Sequence, residues 1–312
     1  MSVVAVTGAS GFIGRSLIEV LHAGGHEVVA LSRNPGSGRL SKDVETRRFD
    51  PNDEAPNPAA FEGTDAVVNL AGESIAGRWT AAKKRAIYAS RVDGTRHMVA
   101  SLRACARQPR VLVSASAIGY YGSQGEAALE ESSPPGDDFL ARLCVDWEAA
   151  ANEASGLGIR TVRLRFGLVL GAGGALAMMK IPFLAGLGGP LGSGRQYVSW
   201  VHVDDLASLC VFAIDRAAIA GPVNAVAPSA VTNAEFSRTL GAVLHRPSFL
   251  PVPAFVLRSM LGEFAETLLA SQRVVPAAAQ AFGFAWLHPN LKGALSQALA
   301  KPLSPRQARR SY

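Results

Sequence analysis

The sequence predicts an α/β protein: a doubly wound parallel sheet followed by a smaller, mostly helical C-terminal lobe. Three observations predict it. Short apolar runs alternate with segments of helical spacing through the first half of the 312 residues. The first such unit carries a glycine-rich turn between strand and helix. Past Gly167 the alternation gives way to a Gly/Pro-rich stretch and then to shorter helical segments.

The first strand is Val3-Val4-Ala5-Val6, and the first helix runs from Phe12 to Ala23 with Ile13, Leu17, Val20 and Leu21 recurring at helical spacing. Between them lies Thr7-Gly8-Ala9-Ser10-Gly11-Phe12-Ile13-Gly14. Gly8 permits a tight turn, Gly11 lets backbone approach a phosphate, and Gly14 lets helix and strand pack closely. Unpaired N–H groups and the positive dipole end of the helix then face an anion, as a dinucleotide pyrophosphate requires. A second strand spans Glu27 to Ser32, a loop rich in Gly, Ser and Asn follows to Ser41, and a weaker third strand, about Glu45 to Phe49, ends at Asp50. The alternation continues with a strand Asp65–Ala71, a helix Ala81–Ala106, a strand Arg110–Ser116, a helix Phe139–Ser155 and a strand Arg160–Gly167. Right-handed crossovers make such a sheet parallel. Tyr197–Val203 reads as a strand and Asp204–Ile214 as a helix. Further helices begin near Val252 and span Ser259–Ala270 and Leu291–Ala300. These elements divide into a nucleotide-binding domain (1–220, with a lobe insertion at about 171–197), a lobe (221–300) and a tail (301–312).

Composition narrows the function classes. With 48% hydrophobic residues the chain can bury a full core. The net charge of +6 invites a nucleic-acid reading, but the basic residues are dispersed apart from Lys83-Lys84-Arg85 and the tail run Arg306 to Arg310. Neither run is interleaved with aromatics, so no nucleic-acid partner is expected. No signal-peptide pattern follows Met1, and no apolar run reaches membrane-spanning length. The stretch Met178–Leu191 is broken by Pro182 and glycines and reads as a buried or pocket-lining loop. Cys105, Cys144 and Cys210 lack metal-ligand spacing, which suggests reduced thiols, a cytoplasmic protein and no metal site. A homodimer is compatible with these features.

The second strand ends Leu31-Ser32-Arg33, without the carboxylate that holds the adenine ribose in NAD-preferring sites. An arginine fork there suits an added phosphate, so the expected cofactor is NADP(H), with Ser32 and Arg33 on that phosphate. Asp50 is the expected partner of the adenine amino group.

Several motifs in order are similar to the extended short-chain dehydrogenase/reductases, and within them to the atypical "epimerase family protein" group. They are Thr7 to Gly14, Asn69-Leu70-Ala71-Gly72-Glu73-Ser74-Ile75, Arg78-Trp79, Ser90-Arg91-Val92, Ile118-Gly119-Tyr120-Tyr121-Gly122, Gly188 to Gly194 and Trp200-Val201-His202-Val203-Asp204-Asp205. The segment from Gly262-Glu263 to Gln272-Arg273-Val274-Val275-Pro276 resembles that group's C-terminal domain of unknown function. The resemblance spans roughly residues 2 to 300. It implies a Rossmann domain with NADP(H), Leu70, Ala71 and Gly72 along the ribose and pyrophosphate, Arg91 where an Asn usually meets the cofactor, and Val169 against the nicotinamide.

Hydride chemistry needs a proton donor or acceptor near the nicotinamide. Ordinary members use a Tyr made acidic by a Lys one helical turn later, with a Ser or Thr on the substrate oxygen; an unassisted phenol, with a pKa of about 10, is a poor base. Ser114 and Ser116 end the relevant strand, and Ser116 is the chosen residue. The Tyr-Lys pair is missing. Aligned on Glu148, the helix offers Leu140 and Cys144; shifted by one, it offers Phe139 and Leu143. Tyr120 and Tyr121 are the nearest replacement phenols. Lys180, Arg195 and Glu73 are further pocket candidates, while the His202 and Asp204 run reads as a structural signature. The expectation is an NADP(H)-binding oxidoreductase- or epimerase-like protein of unassigned small-molecule substrate. The alternative is a non-catalytic NADPH-binding structural or redox-sensing protein.

Overall fold

The computed structural model describes residues 1–36, 40 and 44–300. The expected tail and part of the loop after the second strand lie outside the described residues.

The strands β1 (Val3–Thr7), β2 (Glu27–Ser32) and β3 (Glu45–Arg48) surround helix α1 (Phe12–Ala23) in sequence. Next come β4 (Ala66–Asn69), α2 (Ala81–Tyr88), α3 (Gly94–Arg103), β5 (Val111–Ala117), the two-residue β6 (Ala128–Leu129), α4 (Phe139–Asn152) and β7 (Arg160–Phe166). The helix expected over Ala81–Ala106 is divided by one wide turn at Ala89–Asp93, a π-type insertion that often marks a functional position. Side chains start the helices by capping orphan N–H groups: Thr80 accepts from Lys83 N, and Asp138 accepts from Ala141 N.

Chain order continues through β8 (Leu168–Leu170), α5 (Gly174–Leu184), β9 (Tyr197–Val198), β10 (Trp200–His202), α6 (Val203–Asp215) and β11 (Gly221–Ala225). The C-terminal part holds β12 (Val231–Thr232), α7 (Asn233–Leu244), α8 (Ala254–Leu261), α9 (Phe264–Leu269), β13 (Arg273–Val274), α10 (Ala277–Ala281) and α11 (Leu291–Leu299).

Seven strands form one sheet in the order β11-β7-β5-β4-β1-β2-β3, every pairing parallel. The order reverses between β1 and β4, and a ligand crevice opens at such a switch point. Successive residues of the central strands are buried on opposite faces. Val4, Val6, Val68 and Val113 join Leu17, Leu21, Leu206 and Leu209 of α1 and α6. Ala5, Val67 and Leu112 face Met98, Val99 and Leu102 of α3. Burying a Leu or Val side chain contributes about 1.5–3 kcal/mol, so these two layers hold the crevice rigid.

Two expectations need correction. The boundary at 220 precedes β11, which pairs with β7 along Gly221–Ala225, so the sheet extends past it. The lobe core itself joins Leu170, Leu176, Phe183 and Trp200 to Phe236, Leu240, Leu291 and Leu295. The first half of Met178–Leu191 is the end of α5 rather than a loop, and Met178, Ile181, Leu184 and Leu187 are exposed. Ala, Leu, Met and Lys before Pro182 are strong helix formers, and Pro182 falls in the last turn, where it removes one internal hydrogen bond.

Candidate functional site

Gly8 has φ +66°, and a Cβ there would lie 2.8 Å from Leu70 O. A Cβ on Gly14 would sit 2.4 Å from Gly8 O, so turn and helix touch through backbone. Gly11 is exposed at the head of α1, whose N-terminus lacks any side-chain cap. The turn is therefore open toward solvent with its first N–H groups free of a side-chain cap, the arrangement an anion fits. Ser10, Phe12 and Ile13 are half-buried around it.

A buried chain of hydrogen bonds fixes the crevice floor. Thr7 Oγ1 donates to Asn69 Oδ1 at 2.7 Å and accepts the N–H groups of Leu70 and Ala71 at 3.0 and 3.1 Å. Asn69 Nδ2 and Trp147 Nε1 both donate to Thr95 Oγ1. Sequence reasoning missed Thr95 and Trp147; the polar strand ends Thr7 and Asn69 were the available signal.

Arg91 projects from the wide turn between α2 and α3. Its Nη1 donates to Glu73 O at 2.8 Å, and its guanidinium approaches within 3.1 Å of where a Cβ on Gly72 would stand. A side chain on Gly72 would crowd this contact and push the guanidinium aside. Glu73 bonds Lys83 at 2.6 Å; chiefly that bond, helped by Arg91 and Arg33, holds its carboxyl below the ordinary value. Burial lowers the Arg91 guanidinium pKa, yet an arginine stays charged.

Arg33 is exposed at the end of β2, and Ser32 Oγ accepts the Asn34 N–H at 3.2 Å. Asp50 accepts both the N–H and the side-chain amide of Asn52, which shapes the turn after β3. Val169 on β8 is half-buried opposite Val201 of β10. Lys180 is half-buried on α5, and Arg195 is exposed.

The residues expected to perform chemistry are placed very differently. Ser116 on β5 stands in register with Arg165 on β7. Ser116 Oγ donates to Glu148 Oε1 at 2.8 Å, and Arg165 clamps the same carboxylate from Nε at 2.7 Å and Nη2 at 3.0 Å. Arg165 Nη1 also donates to Tyr121 OH, which donates to Asn224 Oδ1 at 2.7 Å. Tyr121 is wholly buried, and burial pushes its phenol up to about 12 despite Arg165. Tyr121 is thus corrected from a candidate acid–base group to a structural member of a closed network. Ser116, 2% exposed, is bound in the same network. Tyr120 remains half-buried, with the Arg165 guanidinium 3.5 Å from its ring centroid. Cys144 is buried and its thiol is pushed up to about 12, which makes it an inert side chain. Gly119 packs on Leu140 and Cys144, one of the two residue pairs at which a Tyr and a Lys were expected.

A separate cleft of about 500 Å³ lies beside Met1, Asp65, Arg110 and Arg160. It opens at the amino ends of β4, β5 and β7, the wrong edge for the crevice. Its Arg160 is already bonded to the carbonyls of Ala213, Ile214 and Ile219.

Comparison with known proteins assigns the family. The NAD dependent epimerase/dehydratase family matches residues 4–225, and a domain of unknown function matches residues 252–298. The chain belongs to the NAD dependent epimerase/dehydratase family. It is 38% identical over 302 residues to the epimerase family protein YfhF of Bacillus subtilis, covering 95% of this chain and 98% of that protein. It is 40% identical to the bovine epimerase family protein SDR39U1, covering 95% and 99%. Human SDR39U1, solved with NADPH, superposes with a TM-score of 0.84 at 37% identity, covering 95% of this chain and 98% of that one. These relatives bear out the expected group and its two-part architecture. No helix among the described residues is long and apolar enough to cross a membrane.

Proposed function

We propose that this family member is an NADP(H)-dependent oxidoreductase of the short-chain dehydrogenase/reductase type, acting on a small molecule. The observation that carries this reading is the open Thr7–Gly14 turn at the switch point, with Arg33 rather than a carboxylate ending β2. The residues fit the cofactor: Gly11 leaves the uncapped head of α1 exposed, while Gly8 and Gly14 let the turn fold tightly against protein backbone. The N–H groups at the head of α1 would hold the pyrophosphate, and Ser32 and Arg33 the adenosine phosphate. Asp50 would meet the adenine, Leu70 to Gly72 and Arg91 the ribose and pyrophosphate side, and Val169 the nicotinamide. The NADPH complex of human SDR39U1 supports the same choice. When bound, the nicotinamide supplies or takes a hydride.

The chain's own contribution to a proton step narrows to Tyr120. Its phenol has no bonded partner among the described hydrogen bonds, while the Ser116 proton is committed to Glu148. Ser116 keeps lone pairs that can accept a substrate hydroxyl. We further infer a cytoplasmic protein without nucleic-acid or membrane partners, on the dispersed charge and the three free, buried thiols.

One observation favours a second reading, a non-catalytic NADPH binder. Neither Leu140 and Cys144 nor Phe139 and Leu143 supplies a phenol or an amine, and the adjacent polar groups are closed into the Arg165 network. Fluorescence titration with NADPH and NADH tests the shared premise. NADPH binds more tightly, and Arg33→Ala removes about 1.5–3 kcal/mol of that preference; equal affinities sink it. A carbonyl screen then separates the readings. Turnover that falls about a hundredfold in Tyr120→Phe but not in Cys144→Ala supports the enzyme. Tight NADPH binding with no oxidation across the screen supports the binder.

A further inference from the structure

The expectation of no metal site rested on the cysteines. The fold instead brings together three other side chains that neither the nucleotide turn nor the Arg165 network uses. We propose that His202, Asp204 and His288 bind a divalent cation of the zinc, cobalt or nickel class, which staples the C-terminal segment to the nucleotide-binding domain.

The donors already converge. Asp204 Oδ2 lies 3.5 Å from His202 Nδ1 and 3.8 Å from His288 Nε2, and one ligand atom from each residue falls within 4.8 Å of the others. Ligands bound at 2.0–2.1 Å around tetrahedral zinc stand about 3.3 Å apart, so modest side-chain rotation closes the set. Two imidazoles and one carboxylate suit borderline cations; calcium and magnesium need more oxygen ligands. Asp204 is 43% exposed along its side chain, which leaves an entry path and room for water as a further ligand.

Each ligand is held in place by a bond made outside the triad or by its element. The Asp205 carboxylate accepts the backbone N–H groups of Leu287 and His288 at 2.6 and 3.0 Å, which delivers His288 to the first turn of α6. The Ser16 hydroxyl of α1 donates to Asp204 Oδ1 at 3.2 Å and leaves Oδ2 for a cation. Such outer bonds are what orient metal ligands. His202 ends β10, and its ring centroid is 4.0 Å from that of His288.

The protein alone leaves this corner under-bonded. His202 is 2% exposed, and its Nε2 has no hydrogen-bond partner. Its Nδ1 accepts only the Asp204 N–H at 3.2 Å. The nitrogen that lies near Asp204 Oδ2 is Nδ1, so the cation takes Nδ1 in exchange for that single capping bond while Nε2 keeps the ring proton. The neutral imidazole supplies a lone pair and no redox partner is required.

The test uses the tag-free full chain, stripped with chelator, titrated with Zn²⁺ by calorimetry and with Co²⁺ by visible absorption. The wild type takes up one equivalent, shows ligand-field bands of a nitrogen–oxygen site with Co²⁺, and gains roughly 3–5 °C in Tm at a hundredfold excess of Zn²⁺ over Kd. His288→Phe keeps the ring contact and Asp204→Asn keeps the shape; each weakens binding by about a hundredfold or more and abolishes the Tm gain. A wild type that binds no stoichiometric Zn²⁺ overturns the proposal. So does Zn²⁺ uptake that survives unchanged in both variants, because the metal then sits elsewhere.

Discussion

The nucleotide turn after β1 and the Ser116 network at the end of β5 lie in one sheet with β4 between them, yet they are built in opposite ways. The turn from Thr7 to Gly14 is mostly backbone: close contacts at Gly8 and Gly14, and an exposed, uncapped helix start. The pocket at the end of β5 is mostly side chain, and nearly every polar atom in it already has a protein partner. Ser116, Glu148, Arg165, Tyr121 and Asn224 satisfy one another in a buried network. Unsatisfied groups advertise a ligand, whereas a closed network stabilises and fixes geometry. The first region is therefore built to receive a partner and the second to hold the sheet edge together. Tyr120, stacked beside Arg165, is left at the margin between the two.

The comparison breaks most sharply at Gly11. Gly11→Val puts a branched side chain where pyrophosphate would meet backbone, and its only close protein neighbour is Gly8 O at 3.0 Å. NADPH binding should fall below detection in calorimetry while Tm drops by only a few degrees. Normal affinity in the folded variant would make the turn merely structural.

Arg165→Met should do the reverse. It leaves the Glu148 carboxylate buried without its cation, which costs about 3–5 kcal/mol. Chemical denaturation should register that loss while NADPH affinity in the folded protein stays within about twofold. A large loss of affinity at unchanged stability would mean that Arg165 belongs to the cofactor site.

A smaller effect sharpens the contrast at high pH. The Tyr121 phenol is raised from its ordinary value to about 12 in the folded protein. Its contribution is therefore complete below pH 10 and is lost as pH rises toward 12, because the unfolded chain releases that proton first. Between these limits the wild type should lose about 1–3 kcal/mol more stability than Tyr121→Phe. Parallel stability curves for the two proteins would show that the hydroxyl is not held as the bonds to Asn224 and Arg165 require.

What could be read in the sequence was local. The β-branched run before Thr7, the glycine spacing and the apolar stripe of α1 act over a few residues, so they specified the parallel sheet and the nucleotide turn directly, while the missing Tyr-Lys pair followed from the family resemblance. The positions of Arg33 and Asp50 were legible for the same reason, each following the end of a recognisable strand, whereas Arg91 was singled out by the resemblance. The roles of Tyr121, Arg165 and Asn224 were not, because their bonds join residues 44 and 103 positions apart. A side chain's partner at that range is decided by strand order, as when β7 sets Arg165 beside Ser116. The same holds for His288, which reaches His202 only because Asp205 captures its backbone. Periodicity and glycine placement determine elements; only the packed sheet decides which polar groups are consumed by one another and which are left for a ligand, because burial makes every unpaired polar group costly.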